Sequence, residues 1–217
     1  MSITKTVVIS SAGMGTRLGM NLPKAMIDLH GKKLIEWQLD LLNDVEDVRV
    51  VVGYKYQCVI DVVTKLRPDC TFVFNRDYRT TGTADSYVKG ALFSDPKSLI
   101  ISLDGDLLVH PEDFEKLLST PHPCIGVGQK TTEEPVFVST FLQNENEMAH
   151  SFSRIHGDYE WVGLAQLYYG NVKGFSGYVY QLIEPLLPLP IIKVRTQEID
   201  TYADYERALS WVKDILI

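Results

Sequence analysis

The sequence predicts an α/β fold, Rossmann-like and doubly wound, whose mostly parallel sheet carries an antiparallel extension within one domain spanning 1–217. Three observations predict it. Short β-branched runs alternate with helical patterns through the first half of the chain, the βαβα order of a parallel sheet. Those runs are continuously apolar instead of alternating, as burial by helices on both faces requires. After about Cys124 extended segments follow one another across polar turns, the rhythm of antiparallel strands.

In order, a first strand is read at "KTVVIS", a helix at "LIEWQLDLL", a strand at "DVRVVVG" and a helix at "QCVIDVVTKL". Next come a strand at "TFVFN", a helix at "TADSYVKGALF", a strand at "SLIISLDGD" and a helix at "DFEKLLS". The later strands are "PCIGVGQ", "PVFVSTFLQ", "MAHSFSRI" and "WVGLAQLYYG", broken by turns such as "NENE" and "HGDY". A helix over roughly 173–183 precedes "PLLPLP", where prolines remove N–H donors and stop it. A final helix begins near Thr201. No internal repeat or linker is visible, so the later strands extend or cover the same sheet.

Composition narrows the function. Hydrophobic residues make up 45% and charged residues 23%, which excludes a disordered chain. The formal net charge of −7 excludes a broad nucleic-acid footprint, so any anion site is local. The apolar runs are too short to cross a bilayer and residues 1–5 lack a signal-peptide h-region, so no membrane partner and a cytoplasmic location are expected. Cys58, Cys70 and Cys124 have no metal spacing and are expected to be reduced, small buried hydrophobes. The five histidines form neither a metal spacing nor a triad and receive no chemistry. A homo-oligomer is compatible with this composition.

The stretch "SSAGMGTRLGMNLPKAM", residues 10–26, leaves the first strand at its carboxyl end, where open α/β sheets place their ligands. Gly13 and Gly15 are free to take positive φ and bring N–H groups to phosphate oxygens. The stretch is not a dinucleotide fingerprint, because Leu18 stands where a third glycine belongs, and it lacks the Gly-Lys-Ser/Thr of a Walker loop. Arg17 and Lys24 supply cations for a polyphosphate, one gripping two oxygens and the other acting as a point charge. The plainer reading is an exposed basic loop. Asp104 and Asp106 end an apolar strand around Gly105, and Asp200 follows a short extended stretch. Carboxylates so placed suit a hard divalent cation, or else plain turns and, at Thr201 and Asp204, a helix capping box.

Gly13, Gly15, Thr16 and Arg17, followed by Pro23 and Lys24, resemble the Gly-x-Gly-Thr-Arg and Pro-Lys signature of nucleotidyltransferases that join an NTP to a phosphorylated acceptor. The resemblance covers most of the chain and implies the nucleotide-diphospho-sugar transferase fold. It implies that Ser11, Ala12, Gly13, Met14, Gly15 and Thr16 wrap the triphosphate and that Arg17 and Lys24 are catalytic, Lys24 lying near the α-phosphate or the acceptor phosphate. It makes Asp106 and Asp200 ligands of Mg²⁺ and gives Asp104 a ribose contact or a supporting place beside the metal. In similar enzymes the loops at Gly53–Tyr54 and Gly82–Thr83 line the nucleoside pocket. Tyr54 is then expected to cover a base face and Gly82 to admit its edge, although Thr83 reads equally well as a helix N-cap. Lys55, Arg76 and Arg79 add phosphate contacts or are simply solvated. "EWVGLAQL" resembles the Glu-x-x-Gly segment that meets the second substrate. Glu160 is expected to bind an acceptor hydroxyl or cation, Gly163 to permit close approach, and Trp161 to fill the core.

A phosphate monoester, with a second pKa near ~6, is anionic at neutral pH and attacks without a general base. The "GYK" turn and the "EID…DYERAL" ending look most like the choline-phosphate and phosphonate cytidylyltransferases. The expected reaction is transfer of CMP from CTP to a phosphorylated or phosphonate small molecule, releasing pyrophosphate. The alternatives are a sugar-1-phosphate nucleotidylyltransferase using UTP, GTP or dTTP, a glycosyltransferase of the A fold using Asp104 and Asp106, and a nucleotide sensor without turnover. With no β-helix segment read after the last helix, the two-domain acetyltransferase versions are not expected.

Overall fold

The computed structural model describes residues 4–216. The first half runs β1 (Lys5–Ser11), a small hairpin of β2 (Asp28–Leu29) and β3 (Lys32–Lys33), α1 (Leu34–Asp40), β4 (Asp47–Val52), α2 (Tyr56–Leu66), β5 (Thr71–Phe74), α3 (Thr83–Ala91), β6 (Leu99–Asp104), β7 (Leu107–Val109) and α4 (Pro111–Ser119). The second half runs β8 (Cys124–Gly128), β9 (Phe137–Gln143), β10 (Asn146–Ser153), β11 (Tyr159–Tyr168), α5 (Tyr169–Val172), α6 (Val179–Ile183), β12 (Leu189–Lys193), β13 (Thr196–Glu198) and α7 (Tyr202–Trp211).

Among the described residues nine strands form one sheet in the order β5-β4-β1-β6-β11-β8-β12-β10-β9. β5, β4, β1 and β6 are parallel, β11 joins antiparallel to β6, and beyond β11, β8 pairs parallel with β12 while β10 pairs antiparallel with β12 and β9. The sheet is therefore a doubly wound parallel half fused to an antiparallel extension at least as large, more mixed than the sequence alone suggests.

The continuous apolar strands are explained by two cores. Val7 and Ile9 of β1 pack on one face with Ile35, Val59 and Phe114 from α1, α2 and α4, while Val8 packs on the other with Tyr87 of α3 and Leu182 of α6. Each such side chain, fully withdrawn from water, contributes about 1.5–3 kcal/mol. Gly90 lets α3 lie directly on β1, since a Cβ there would meet Val8 Cγ1 at 2.3 Å.

Of the helix expected over 173–183 only α6 forms, at Val179–Ile183, while α5 ends at Val172 before the expected start. Gly174 and Gly177 take φ of +76° and +118°, and this left-handed backbone breaks the run between α5 and α6. The proline stretch ends α6 as expected but then enters the sheet as β12. Cys70 and Cys124 are buried thiols and Cys58 is half-buried, all three unpaired; burial pushes Cys70 up to about 11 and Cys124 to about 12. Among the described residues no helix is long and apolar enough to cross a membrane.

Candidate active site

Three stretches distant in sequence meet at the carboxyl ends of β1 and β6. The glycine loop leaves β1, the turn of Asp104, Gly105 and Asp106 links β6 to β7, and β13 delivers Glu198 and then Asp200. β7 pairs antiparallel with β13, placing Leu107 opposite Glu198, and the Ile199 N–H donates to the Asp106 carbonyl at 3.0 Å. A small core including Leu18, Leu108 and Ile199 packs beneath all three stretches. Hydrophobic packing thus places the charges.

Oxygens of Asp106, Glu198 and Asp200 lie within 4.8 Å of one another. Lys24 Nζ donates to Asp106 Oδ2 at 2.7 Å and to Asp200 Oδ1, and Arg17 Nη2 lies 2.9 Å from Asp200 Oδ2. Burial alone would lower the pKa of Lys24, but Asp106 and Asp200 outweigh it and hold the ammonium well above its ordinary range. The reverse happens to two carboxyls. Burial, then the charge of Asp106, pushes Asp104 up to about 8, and its Oδ1 is buried without a partner. Burial, then Asp106 and Asp200, pushes Glu198 up to about 9. So many crowded acids call for cations, here supplied by Lys24 and Arg17.

Glu198 is the residue that sequence reasoning missed. Its signal was present: in an extended "QEID" the side chains of Glu198 and Asp200 fall on one face by the period of two. Asp200 also precedes the expected cap, in which Thr201 Oγ1 accepts from Asp204 N–H at 3.2 Å and Asp204 Oδ2 accepts from Thr201 N–H at 2.7 Å.

Two cavities adjoin this cluster. The first, of about 390 Å³, is lined by Ser11, Ala12, Gly13, Gly15 and Thr16 from the loop, facing Asn75, Tyr78, Gly82 and Thr83. Ser11 Oγ is buried without a partner, and Met14 lies outside the lining. Gly15 has φ +59°, and a Cβ there would sit 2.9 Å from Lys24 Cγ, so the glycine gives the lysine its path to the acids.

Tyr54 does not line this cavity. Its N–H donates to the Ala12 carbonyl and its hydroxyl to Asn21 Oδ1 at 2.7 Å, so that it braces the far end of the loop, as Lys55 does through the Asn21 carbonyl. Tyr78 occupies the wall where Tyr54 was expected. Gly53 permits this arrangement, since a Cβ there would lie 2.7 Å from Ala12 O and 2.9 Å from Tyr78 Cδ1. Arg76 lines a separate hollow beyond Gly53, and Arg79 lies over the Tyr78 ring. The N-cap of α3 is Gly82, whose N–H donates to Asp85 Oδ2 at 3.0 Å, and Thr83 begins the helix.

The second cavity, of about 450 Å³, shares the carboxylates with the first and is also bordered by Arg154, Glu160, Trp161, Gly163 and Tyr180. Arg17, Thr83, Asp104, Asp106, Tyr178, Glu198 and Asp200 border both cavities. Among the described residues no histidine lines either.

A glycine loop with paired cations, facing strand-end acids between two cavities, defines the class of enzymes that handle nucleoside triphosphates. Residues 7–162 match the MobA-like NTP transferase domain, and the chain belongs to that family of nucleotidyltransferases. The bifunctional protein GlmU of a Cyanothece species is 34% identical over 117 residues, 52% of this chain and 25% of GlmU. GlmU of Thermosipho melanesiensis is 24% identical over 140 residues, 64% of this chain and 28% of that protein. The matches thus span about a quarter of these relatives. Among solved structures, the inositol-1-phosphate CTP transferase from T. maritima superposes with a TM-score of 0.80 at 18% identity, covering 99% of this chain and 98% of its own. The CTP:phosphocholine cytidylyltransferase of Streptococcus pneumoniae gives 0.73 at 18%, covering 97% and 100%, and a UDP-glucose pyrophosphorylase gives 0.78 at 14%, covering 98% and 99%. These structures share the fold.

Proposed function

We propose that this chain, as one domain, is a Mg²⁺-dependent cytidylyltransferase that moves CMP from CTP to a phosphorylated or phosphonate small molecule. The observation that carries the reading is Lys24, at the end of the glycine loop, meeting Asp106 and Asp200 where the two cavities join. The first cavity takes the nucleotide, with backbone N–H groups around Gly13 and Gly15 on its phosphates and Tyr78 beside its base. The second takes the acceptor.

In the reaction an acceptor phosphate oxygen bonds to the α-phosphorus, the bond from that phosphorus to the bridging oxygen breaks, and pyrophosphate departs with the electron pair. Lys24 and Arg17 hold the phosphorus oxygens and stabilise the charge that gathers there. The acceptor is already ionised, so the missing histidine is no loss. Asp106, Glu198 and Asp200 fit a hard divalent cation by their oxygen chemistry and proximity, and Asp104 beside them has a buried Oδ1 without a partner. Bound Mg²⁺ would neutralise phosphate charge there.

The fold likeness to two CTP-using enzymes at nearly full coverage supports CTP. The GlmU matches and the UDP-glucose pyrophosphorylase support a second reading, a sugar-1-phosphate nucleotidylyltransferase. Pyrophosphate release is the test, with CTP, UTP, GTP and dTTP crossed against choline phosphate, an aminoalkylphosphonate and hexose 1-phosphates. Turnover with CTP and a non-sugar acceptor is expected. Turnover only with a hexose 1-phosphate installs the second reading, and release with no pair ends both.

A further inference from the structure

We propose that Glu160 is a positioning residue that anchors the 129–136 loop as a wall of the acceptor cavity, and does not hold the acceptor itself. The inference rests on the assignment of the second cavity to the acceptor. Glu160 lies on β11 and is only 3% exposed. Its Oε2 accepts the backbone N–H of Thr131 at 2.6 Å and of Thr132 at 3.3 Å, while Oε1 accepts the Thr132 hydroxyl. Among the described residues no cation pairs with it, so these donors are what make a buried carboxylate tolerable.

The same loop is tied at its other end. Trp161 N–H donates to the Val136 carbonyl at 2.8 Å, and Arg154 Nη1 to the Glu134 carbonyl at 2.9 Å. Between the two ties, Thr132, Glu133 and Glu134 face the cavity. An acceptor hydroxyl would gain little from Glu160, because Oε2 already takes two backbone N–H groups and Oε1 is held by the Thr132 hydroxyl, which leaves one lone pair on a buried side chain. Gly163, three residues on, follows the same logic: its φ is +78° and a Cβ would lie 2.8 Å from Asp104 Oδ2, so it makes room for an acid of the protein. The Glu-x-x-Gly pattern therefore builds the walls of the cavity.

Hydrogen exchange of the free chain tests this without any substrate. Glu160→Gln turns an amide group toward N–H donors, and Thr132→Val removes one donor while leaving Glu160 intact. Exchange at the Thr131 and Thr132 amides should accelerate about tenfold or more in Glu160→Gln, with a smaller acceleration in Thr132→Val. Exchange in β1 and β6 should stay at parent values, showing that the fold is intact. With CTP saturating and choline phosphate varied, both variants should raise KM by a larger factor than they lower kcat. Unchanged exchange at 131–132 in Glu160→Gln overturns the proposal. So does a raised KM in Glu160→Gln alone, with Thr132→Val at parent values in both measurements, because Glu160 would then be meeting the acceptor directly. If the parent releases no pyrophosphate from this pair, the substrate assignment fails while the exchange result still decides the role of Glu160.

Discussion

Lys24 holds a place that a metal would also claim. Its ammonium reaches Asp106 and Asp200, two of the three acids whose oxygens cluster. Lys24→Ala should lower kcat by about 10²-fold, the scale of losing one preorganised charge-stabilising donor. The same change should tighten Mn²⁺ binding in the absence of nucleotide, read by electron paramagnetic resonance, because the acids lose a competing cation. A weaker or unchanged Mn²⁺ affinity would show that lysine and metal do not share these carboxylates. Asp106→Asn and Asp200→Asn should each cut turnover, and the double variant should cost little beyond the worse single one, since residues acting as a unit are non-additive. Losses that multiply would mean separate jobs.

At the scale of elements, the approach to β13 is clamped to α4. Buried Asp113 accepts from Arg195 Nε at 2.6 Å, from Arg195 N–H at 3.1 Å and from Lys116 Nζ at 2.8 Å. The Arg195 side chain first, aided by Lys116 and the Arg195 N–H against burial, holds the Asp113 carboxyl well below the usual carboxylate range. A lowered pKa contributes stability above the unfolded value of about 3.9, lost as pH falls through the folded value. Asp113→Asn should therefore cost about 1–3 kcal/mol in urea unfolding at pH 7, and the gap to the parent should narrow as the pH drops below about 4. A gap independent of pH would show that the charge is not what matters. This clamp, like the β7–β13 pairing, joins segments far apart in the chain, and here sequence reading ran short. The strands and helices of the first half were legible because apolar periodicity is local. So were Gly13, Gly15, Arg17 and Lys24, crowded into one loop. Glu198 was passed over because its meeting with Asp106 depends on a long-range strand pair. Tyr54 and Tyr78 both follow parallel strands, and only the packing at Gly53 decides which one reaches the cavity.

For the whole molecule, the arrangement of two cavities meeting at one cluster of charge makes a statement about where the proton goes. The acids between the cavities belong to the protein, with Asp104 pushed up to about 8 and Glu198 to about 9 in the unliganded chain. No histidine lines either cavity among the described residues, and under the proposed transfer to a phosphate the nucleophile's own ionisation sets its reactivity. With a phosphate acceptor, kcat/KM should rise with pH through the acceptor's second pKa near ~6 and then level. A phosphonate acceptor, whose second pKa is higher, should carry that inflection upward by the same interval. Inflections that belong to protein acids stay where they are when the acceptor is exchanged, so the two kinds separate on one pair of profiles. A hydroxyl nucleophile would need a base from the chain, and its inflection would ignore the acceptor's acidity. If the low-pH inflection holds still across the two acceptors and moves when a cavity side chain is replaced, the base-free transfer is wrong and a glycosyltransferase-like chemistry at Asp104 and Asp106 takes its place.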